Sequence, residues 1–136
     1  MLVRDLMSAK PVTVTPQDSL ETAMAAMVEH RIRELPVLED GELAGILTER
    51  DVKMALGPDA RRMRLDSIDP RQLDGAVDWF MTRGVETVAS DDTVGAATDR
   101  LLELRIGALP VVDEEGELVG ILSVTDVLRE ARKHLS

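Results

Sequence analysis

The sequence predicts an α/β (α+β) fold, built from two tandem β-α-β-β-α repeats that pack as a pseudo-twofold pair. The first observation is a stretch that occurs twice: GILTERD at residues 45–51 returns as GILSVTD at residues 120–126. The second is that RIRELPV at 31–37 matches RIGALPV at 105–111. Identities in this order indicate a duplicated unit of roughly 50–55 residues. Two copies favour a closed pair, because an open stack needs about three or more repeats.

Each copy predicts the same order of elements. A short helical start, VRDLM or VDWFM, precedes a brief extended piece at VTV or ETV. The segment SLETAMAAMVEH is predicted to be a helix because its apolar residues recur at helical spacing: Leu20, Ala23, Met24, Met27 and Val28. Two strands follow, ELPVLED with GELAGIL in the first copy and ALPVVDEEG with GELVGIL in the second. A closing helix, DVKMAL or DVLREARKHL, completes each copy.

Three segments are predicted along the chain. Residues 1–56 form the first repeat, and residues 75–136 form the second. Residues 57–74 carry turn signals and have no counterpart in the other copy, so they are predicted to be a linker. Within this linker, RRMR at 61–64 is a short basic run between acidic residues, which is typical of a solvated face.

Composition and charge exclude several classes of protein. The chain has 136 residues, of which 44% are hydrophobic and 31% charged, as in ordinary globular proteins. Apolar runs stay well below the roughly 18 residues of a membrane span, and the N-terminus lacks a secretory signal, so we expect a cytoplasmic protein with no membrane contact. The absence of cysteine excludes disulfides and thiol chemistry. A formal net charge of −10 argues against a nucleic-acid partner.

Several conspicuous residues are not expected to carry chemistry. Trp79 and Phe80, the only Trp and Phe, are expected in the core, with an interface role for Trp79 as the alternative. His30 and His134 are expected at helix ends or on the surface, because neither has further ligands at metal spacing. The sequence contains no nucleophile–base pair or glycine-rich phosphate loop of enzyme type. We therefore expect no enzyme activity, no cofactor and no metal.

The turns TERD at 48–51 and SVTD at 123–126 fit two interpretations. A hydroxyl residue three places before an acidic residue is a helix N-cap signal. The same geometry offers free N–H groups and the positive end of a helix dipole to an anion. Under this second interpretation, Gly45 or Gly120 allows a ligand to approach the backbone closely. A cap can also be a binding site, so the pattern leaves both interpretations open.

The binding interpretation gives each polar residue of the turns a role. Thr48 or Ser123 can hydrogen-bond a phosphate group of a ligand. Asp51 or Asp126 can accept hydrogen bonds from two ribose hydroxyls, as acidic residues do in dinucleotide-binding folds.

Together these features resemble a pair of CBS domains, the module named after cystathionine β-synthase, of the stand-alone type. The matching stretches are HRIRELPVLEDGELAGILTERDV and RIGALPVVDEEGELVGILSVTDV, each with an LPV strand, a Gly-to-Asp turn and a helix. The resemblance implies two sheets that meet around a pseudo-twofold axis and leave two clefts. It implies that these clefts bind an adenosine-containing ligand such as AMP, ADP, ATP or S-adenosylmethionine.

The resemblance also implies which residues line the clefts, with each repeat completing the site of the other. One cleft is expected to combine residues of the first turn with residues near the second LP dipeptide: Thr48, Arg50, Asp51, Val85, Ile106, Gly107 and Ala108. The other is expected to combine Ser123, Thr125, Asp126, Val12, Ile32, Arg33 and Glu34. Thr13, Pro36 and Pro110 complete the expected set. Arg33 is the cation expected to contact a phosphate, which makes the Ser123 cleft the stronger phosphate site.

A homodimer is the remaining implication of the resemblance. The closing helices carry apolar residues that one small sheet does not fully cover: Met54, Leu56, Val127, Leu128 and Leu135. A ligand-free dimerisation or scaffold protein that kept the fold and its caps is the alternative function. The sequence names neither the ligand nor a downstream protein target.

Overall fold

The computed structural model describes residues 1–56 and 70–136. Helices and strands alternate along the chain, and the strands form two sheets. This confirms the predicted α/β (α+β) class. Most of the predicted linker, and with it the basic run at 61–64, lies outside the described residues. The last residues of the linker form a short helix in which Leu73 is buried.

The chain divides into two compact units. The first-repeat unit comprises Val12–Val85, and the second-repeat unit comprises Met1–Pro11 together with Glu86–Ser136. We call residues 1–11 and 75–85 the leading segments, because each precedes the body of one repeat. Each leading segment packs with the sheet of the other repeat, so the compact units differ from the repeats as they are read along the sequence.

The helices and strands follow the predicted order. They are, along the chain, α1 (Val3–Leu6), β1 (Ser8–Ala9), α2 (Leu20–His30), β2 (Glu34–Glu39), β3 (Glu42–Thr48), α3 (Glu49–Leu56), α4 (Pro70–Leu73), a 3-10 turn (Val77–Trp79), β4 (Thr82–Arg83), β5 (Val88–Ala89), α5 (Val94–Leu104), β6 (Ala108–Val112), β7 (Leu118–Ser123) and α6 (Val124–Arg132). The VTV piece of the first copy is reduced to one parallel bridge between Val14 and Val37.

Both sheets are centred on the predicted hairpins. In the first-repeat unit the strand order is β2-β3-β4, with Thr82 of β4 opposite Ile46 of β3. In the second-repeat unit the order is β1-β7-β6-β5, with Ser8 of β1 opposite Ile121 of β7. Thr82 and Ser8 therefore hold the same register position in the two sheets.

Each unit has its own apolar core. In the first-repeat unit the predicted inner face of α2 is buried against the hairpin, except that Val28 is 54% exposed. Burying a large apolar side chain contributes about 1.5–3 kcal/mol. The second core forms around Val3, Leu101, Leu109 and Leu122, all of which are almost fully buried. The leading segment contributes Val3, so the second-repeat core depends on residues from the start of the chain.

Both long helices begin at a side-chain cap, and the start of α2 agrees with the sequence prediction. Ser19 accepts a hydrogen bond from the Thr22 N–H at 3.1 Å at the start of α2. Thr93 accepts one from the Ala96 N–H at 3.1 Å at the start of α5. Side-chain caps of this kind satisfy N–H groups that have no partner within the helix.

The expectation that Trp79 packs in the core is wrong, because its side chain is 75% exposed. Trp79 ends the 3-10 turn that begins at Val77, which is fully buried. Residues three apart lie on the same side of such a turn, so Val77 and Phe80 face the core together and Trp79 does not. Phe80 packs against the first-repeat core, as expected.

Candidate functional site

Both closing helices begin at a reciprocal cap. Thr48 Oγ1 accepts a hydrogen bond from the Asp51 N–H at 3.0 Å, and Asp51 Oδ2 accepts one from the Thr48 N–H at 3.0 Å. In the second-repeat unit, Ser123 Oγ accepts from the Asp126 N–H at 3.1 Å, and Asp126 Oδ2 accepts from the Ser123 N–H at 2.9 Å. The helix-cap interpretation is therefore confirmed for both turns. All four residues are half-buried, so they are partly accessible to a ligand.

The capping bonds leave some polar atoms of each turn free to hydrogen-bond a ligand. A hydroxyl that accepts a hydrogen bond keeps its own proton for donation, so Thr48 and Ser123 remain donors. The Oδ1 atom of each aspartate is not used by the cap. Each turn therefore offers a hydroxyl donor and a carboxylate acceptor beside the positive end of a helix.

The glycines of the turns leave space for neighbouring parts of the chain. A Cβ atom on Gly45 would collide with the Thr82 carbonyl oxygen, and one on Gly120 would collide with the Met7 side chain and approach the Ser8 carbonyl oxygen. The neighbour that needs the space is thus the strand or side chain of a leading segment. Glycine in a strand often marks such a close approach of another backbone.

The residues before each LP dipeptide lie beside the turn of their own repeat. The Glu49 N–H donates to the Arg33 carbonyl at 2.8 Å, and Glu34 pairs with Thr48 across the hairpin. In the second-repeat unit the Val124 N–H donates to the Gly107 carbonyl at 2.8 Å. Ala108 likewise pairs with Ser123. Each unit thus brings its own pre-LP backbone next to its own hydroxyl residue.

The charged side chains near the first turn differ in how they are held. Arg33 Nε lies 3.7 Å from Glu49 Oε2, and the Arg33 side chain is 81% exposed. An exposed pair of this kind contributes only about 0–1 kcal/mol, so it leaves the Arg33 guanidinium accessible to an anion. Arg50 is exposed on the first turn of α3.

The other expected site residues have varied environments. Val12 and Ile32 pack at the edge of the first-repeat core, and Val85 is half-buried. Two polar residues, Thr13 and Thr125, are exposed. The remaining residues of the set range from buried to exposed: Pro36 and Pro110 are buried, Ala108 is 6% exposed, and Ile106 is 38% exposed. The completion of each cleft by the other repeat stays a prediction.

The remaining ionisable residues that the structure describes show no metal-binding arrangement. Within residues 1–56 and 70–136, no group of three or more His, Asp and Glu side chains is placed to hold a metal ion. His30 ends α2, and His134 lies just beyond α6 with its Nε2 3.9 Å from Glu130. A side-chain hydrogen bond to Asp78 raises the pKa of the exposed Arg83 guanidinium. The same part of the chain has no helix that is long and apolar enough to cross a membrane.

Sequence reasoning missed Thr82, which lies beside the first turn. Its Oγ1 is 3.4 Å from Asp51 Oδ1. A signal was present, because Thr82 follows Met81 as Ser8 follows Met7, so both repeats carry a hydroxyl at this position. Its meaning depends on pairing across distant parts of the chain, which the sequence pattern does not reveal.

Comparison with known proteins agrees with the duplicated architecture. The family model of the CBS domain matches residues 3–58 and again residues 76–133. The chain is 35% identical over 128 residues to homoserine O-acetyltransferase of Methanococcoides burtonii, an alignment that covers 93% of this chain and 23% of that protein. The chain thus spans about a quarter of the length of this relative.

Two solved structures are similar over nearly the whole chain. One is the CBS domain pair of protein MJ0100 in complex with 5′-methylthioadenosine and S-adenosyl-L-methionine, with a TM-score of 0.81 and 26% identity over 99% of this chain and 98% of that one. The other is CBSX2, a CBS-pair protein of Arabidopsis thaliana, in complex with AMP, with a TM-score of 0.78 and 29% identity over 98% and 97% of the two chains. Because the family model matches most of the sequence in two consecutive copies, the chain belongs to the CBS domain family.

Proposed function

We propose that the protein is a regulatory module that binds an adenosine-containing ligand: AMP, ADP, ATP or S-adenosylmethionine. The observation that carries this proposal is the repeated turn, which combines a hydroxyl donor, a carboxylate acceptor and a helix N-terminus in both units. A ribose diol needs an acceptor, and a phosphate needs donors and positive potential. Relatives solved with AMP, or with S-adenosyl-L-methionine and 5′-methylthioadenosine, support an adenosine compound.

In this proposal the two aspartates bind ribose and the two hydroxyl residues bind phosphate. Arg33 and Arg50 supply positive charge to an anionic ligand. The adenine ring is held by backbone groups and apolar surface from the rest of the expected set: Val12, Thr13, Ile32, Glu34, Pro36, Val85, Ile106, Gly107, Ala108, Pro110 and Thr125. We assign no catalytic residue, and we propose a binding protein and not an enzyme.

We also infer that the protein forms a homodimer, and the apolar face of α6 supports this. None of the nine residues of α6 is buried in its own unit, and Leu128 is 61% exposed. A groove of about 350 Å³ is lined by residues of α5, α6 and the loop after α5: Thr98, Leu101, Leu102, Arg105, Ile106, Val124, Val127 and Leu128. Contiguous apolar surface of this kind marks interaction sites in soluble proteins.

The same face favours a second candidate function, a ligand-free scaffold that acts through dimerisation. The reciprocal caps are compatible with it, because they stabilise α3 and α6 without any ligand. The two candidates differ in whether an adenosine compound binds the folded protein.

Thermal unfolding with a panel of adenosine compounds separates these candidates. A ligand that binds only the native state stabilises it, by about 2.7 kcal/mol when the ligand concentration is 100-fold above its Kd. The unfolding temperature rises as a result. We expect stabilisation by at least one of AMP, ADP, ATP, S-adenosylmethionine and adenosine, and none by the matched guanosine and cytidine compounds. Absence of any shift would favour the scaffold. Chromatography of the same mixtures checks for turnover, which we expect to be absent.

A further inference from the structure

The two aspartates of the repeated turn are not equivalent, because among residues 1–56 and 70–136 Asp51 has a second hydroxyl beside it and Asp126 does not. Asp51 Oδ2 is held by the Thr48 N–H at 3.0 Å, and Asp51 Oδ1 lies 3.4 Å from Thr82 Oγ1. At the corresponding place in the second-repeat unit, Ser8 makes no such contact with Asp126 within the described chain. Both oxygens of the Asp51 carboxylate thus have a neighbouring donor, whereas for Asp126 only the Oδ2 atom has one among the described residues.

This difference arises although the backbones match. Thr82 lies opposite Ile46, and Ser8 lies opposite the equivalent Ile121. Threonine is branched at Cβ, which restricts its side-chain rotamers on a strand, whereas serine rotates more freely. The Thr82 hydroxyl therefore has few orientations open to it, and in the one observed it lies 3.4 Å from Asp51 Oδ1.

We propose that Thr82 is a ribose-positioning residue of the first-repeat turn, an inference that rests on the proposed function. Its hydroxyl orients the Asp51 carboxylate before the ligand arrives. The contact of 3.4 Å is longer than the usual 2.7–2.8 Å of a hydroxyl–oxygen hydrogen bond, so the hydroxyl can turn to a ribose oxygen at little cost. Thr48, Asp51 and Thr82 then form a group of three polar side chains that can contact the ribose. The Ser123 turn has no equivalent of the Thr82 contact among the described residues.

The consequence is a difference in sugar selectivity between the two turns. A preorganised carboxylate loses less side-chain freedom when it binds a diol, so the affinity of the first turn depends more strongly on the ribose hydroxyls. The second turn relies on Asp126 alone for the sugar. The first turn is therefore the more selective for a ribonucleoside over a nucleoside without the 2′ and 3′ hydroxyls.

Calorimetric titration with adenosine and with 2′,3′-dideoxyadenosine tests this inference. The Asp126→Asn protein serves as the background, so that the first-repeat turn dominates the signal while the introduced amide still has an oxygen for the cap. In this background we expect Thr82→Val to weaken adenosine binding about 3- to 10-fold and to leave dideoxyadenosine binding unchanged. Thr82→Ser is expected to lose less adenosine affinity than Thr82→Val, because it keeps the hydroxyl but not the branch at Cβ that restricts its orientation.

Ser8→Ala is the matched control, since Ser8 holds the same register position in the other sheet. It should leave adenosine binding at the first turn unchanged. Equal losses for both nucleosides in the Thr82→Val protein, or no loss for either, would overturn the role of Thr82. A wild-type protein that binds no adenosine compound would instead contradict the proposed function itself, and this inference with it.

Discussion

The carbonyl oxygen of Thr82 lies so close to Gly45 that a Cβ atom at this position would collide with it. The two residues belong to adjacent strands, and Thr82 comes from the leading segment of the second repeat. The contact thus ties the first-repeat turn to residues that lie far along the chain. The glycine that begins GILTERD is required by the fold at this position.

Replacing Gly45 with Ala is expected to lower the free energy of unfolding by about 1–3 kcal/mol, because a backbone oxygen cannot move aside without disturbing the β3–β4 pairing. Urea denaturation measures the change. Gly95→Ala is the control, since a Cβ atom on Gly95 in helix α5 meets nothing within 4 Å. That change should leave stability the same or raise it by up to about 1 kcal/mol. A Gly45→Ala protein as stable as wild type would show that the strand moves freely.

Substituting both turn aspartates separates capping from ligand binding. The Asp51→Ala, Asp126→Ala protein loses the acceptors of the Thr48 and Ser123 N–H groups but keeps both hydroxyl caps, so it should lose about 0.5–1.5 kcal/mol of stability per turn. It should bind the ligand roughly 10- to 150-fold more weakly per site. The Asp51→Asn, Asp126→Asn protein keeps an oxygen that can accept the capping hydrogen bond, so its stability should stay close to wild type. Its affinity should still fall, because charge-assisted bonds to ribose are lost. Unchanged affinity in the alanine protein would show that the ligand binds elsewhere.

Arg33→Ala is expected to weaken binding of AMP or ATP more than binding of adenosine, which has no phosphate. The guanidinium is exposed and only loosely paired with Glu49, so we expect a loss of about 1 kcal/mol, or roughly fivefold. Arg50→Ala, the comparison variant, should have a smaller effect. Calorimetric titration of both nucleotides and adenosine measures these differences. Equal losses for adenosine and AMP would mean that Arg33 does not contact the phosphate.

Changing the apolar face of α6 is expected to separate the proposed homodimer into monomers of 14.9 kDa. The first repeat suggests the changes, because Glu49 and Lys53 occupy the places of Val124 and Leu128. The Val124→Glu, Leu128→Lys protein should therefore fold normally while its groove becomes charged. Sedimentation equilibrium at micromolar concentration measures the mass. A wild-type protein that is already monomeric there would contradict the dimer.

Local signals predicted most of the elements correctly. The helix α2 and the two hairpins follow from apolar spacing and from the repeated LPV stretches, and the caps at Thr48 and Ser123 follow from the hydroxyl-to-Asp spacing. These features depend on residues close together in sequence, so a pattern contains the information.

The exchange of leading segments was not predictable in this way. Strands β1 and β4 have two residues each, and so short a strand has no periodicity that identifies its partner. For the same reason the roles of Gly45 and Thr82 were missed. Trp79 was misplaced because composition favours a buried aromatic residue, whereas the geometry of a three-residue turn decides which way it faces.

The exchanged segments also bear on how such a chain could arise. A single ancestral repeat with the same strand pairing would complete its sheet only with the segment of a second molecule, which is domain swapping. Fusing two copies turns that encounter into an intramolecular one, at an effective concentration on the order of millimolar. During synthesis, Val3 cannot be buried in its native core until Leu109 and Leu122, which belong to that core, have been made. The segment that carries Val3 therefore stays without these partners until residues up to Leu122 have been synthesised.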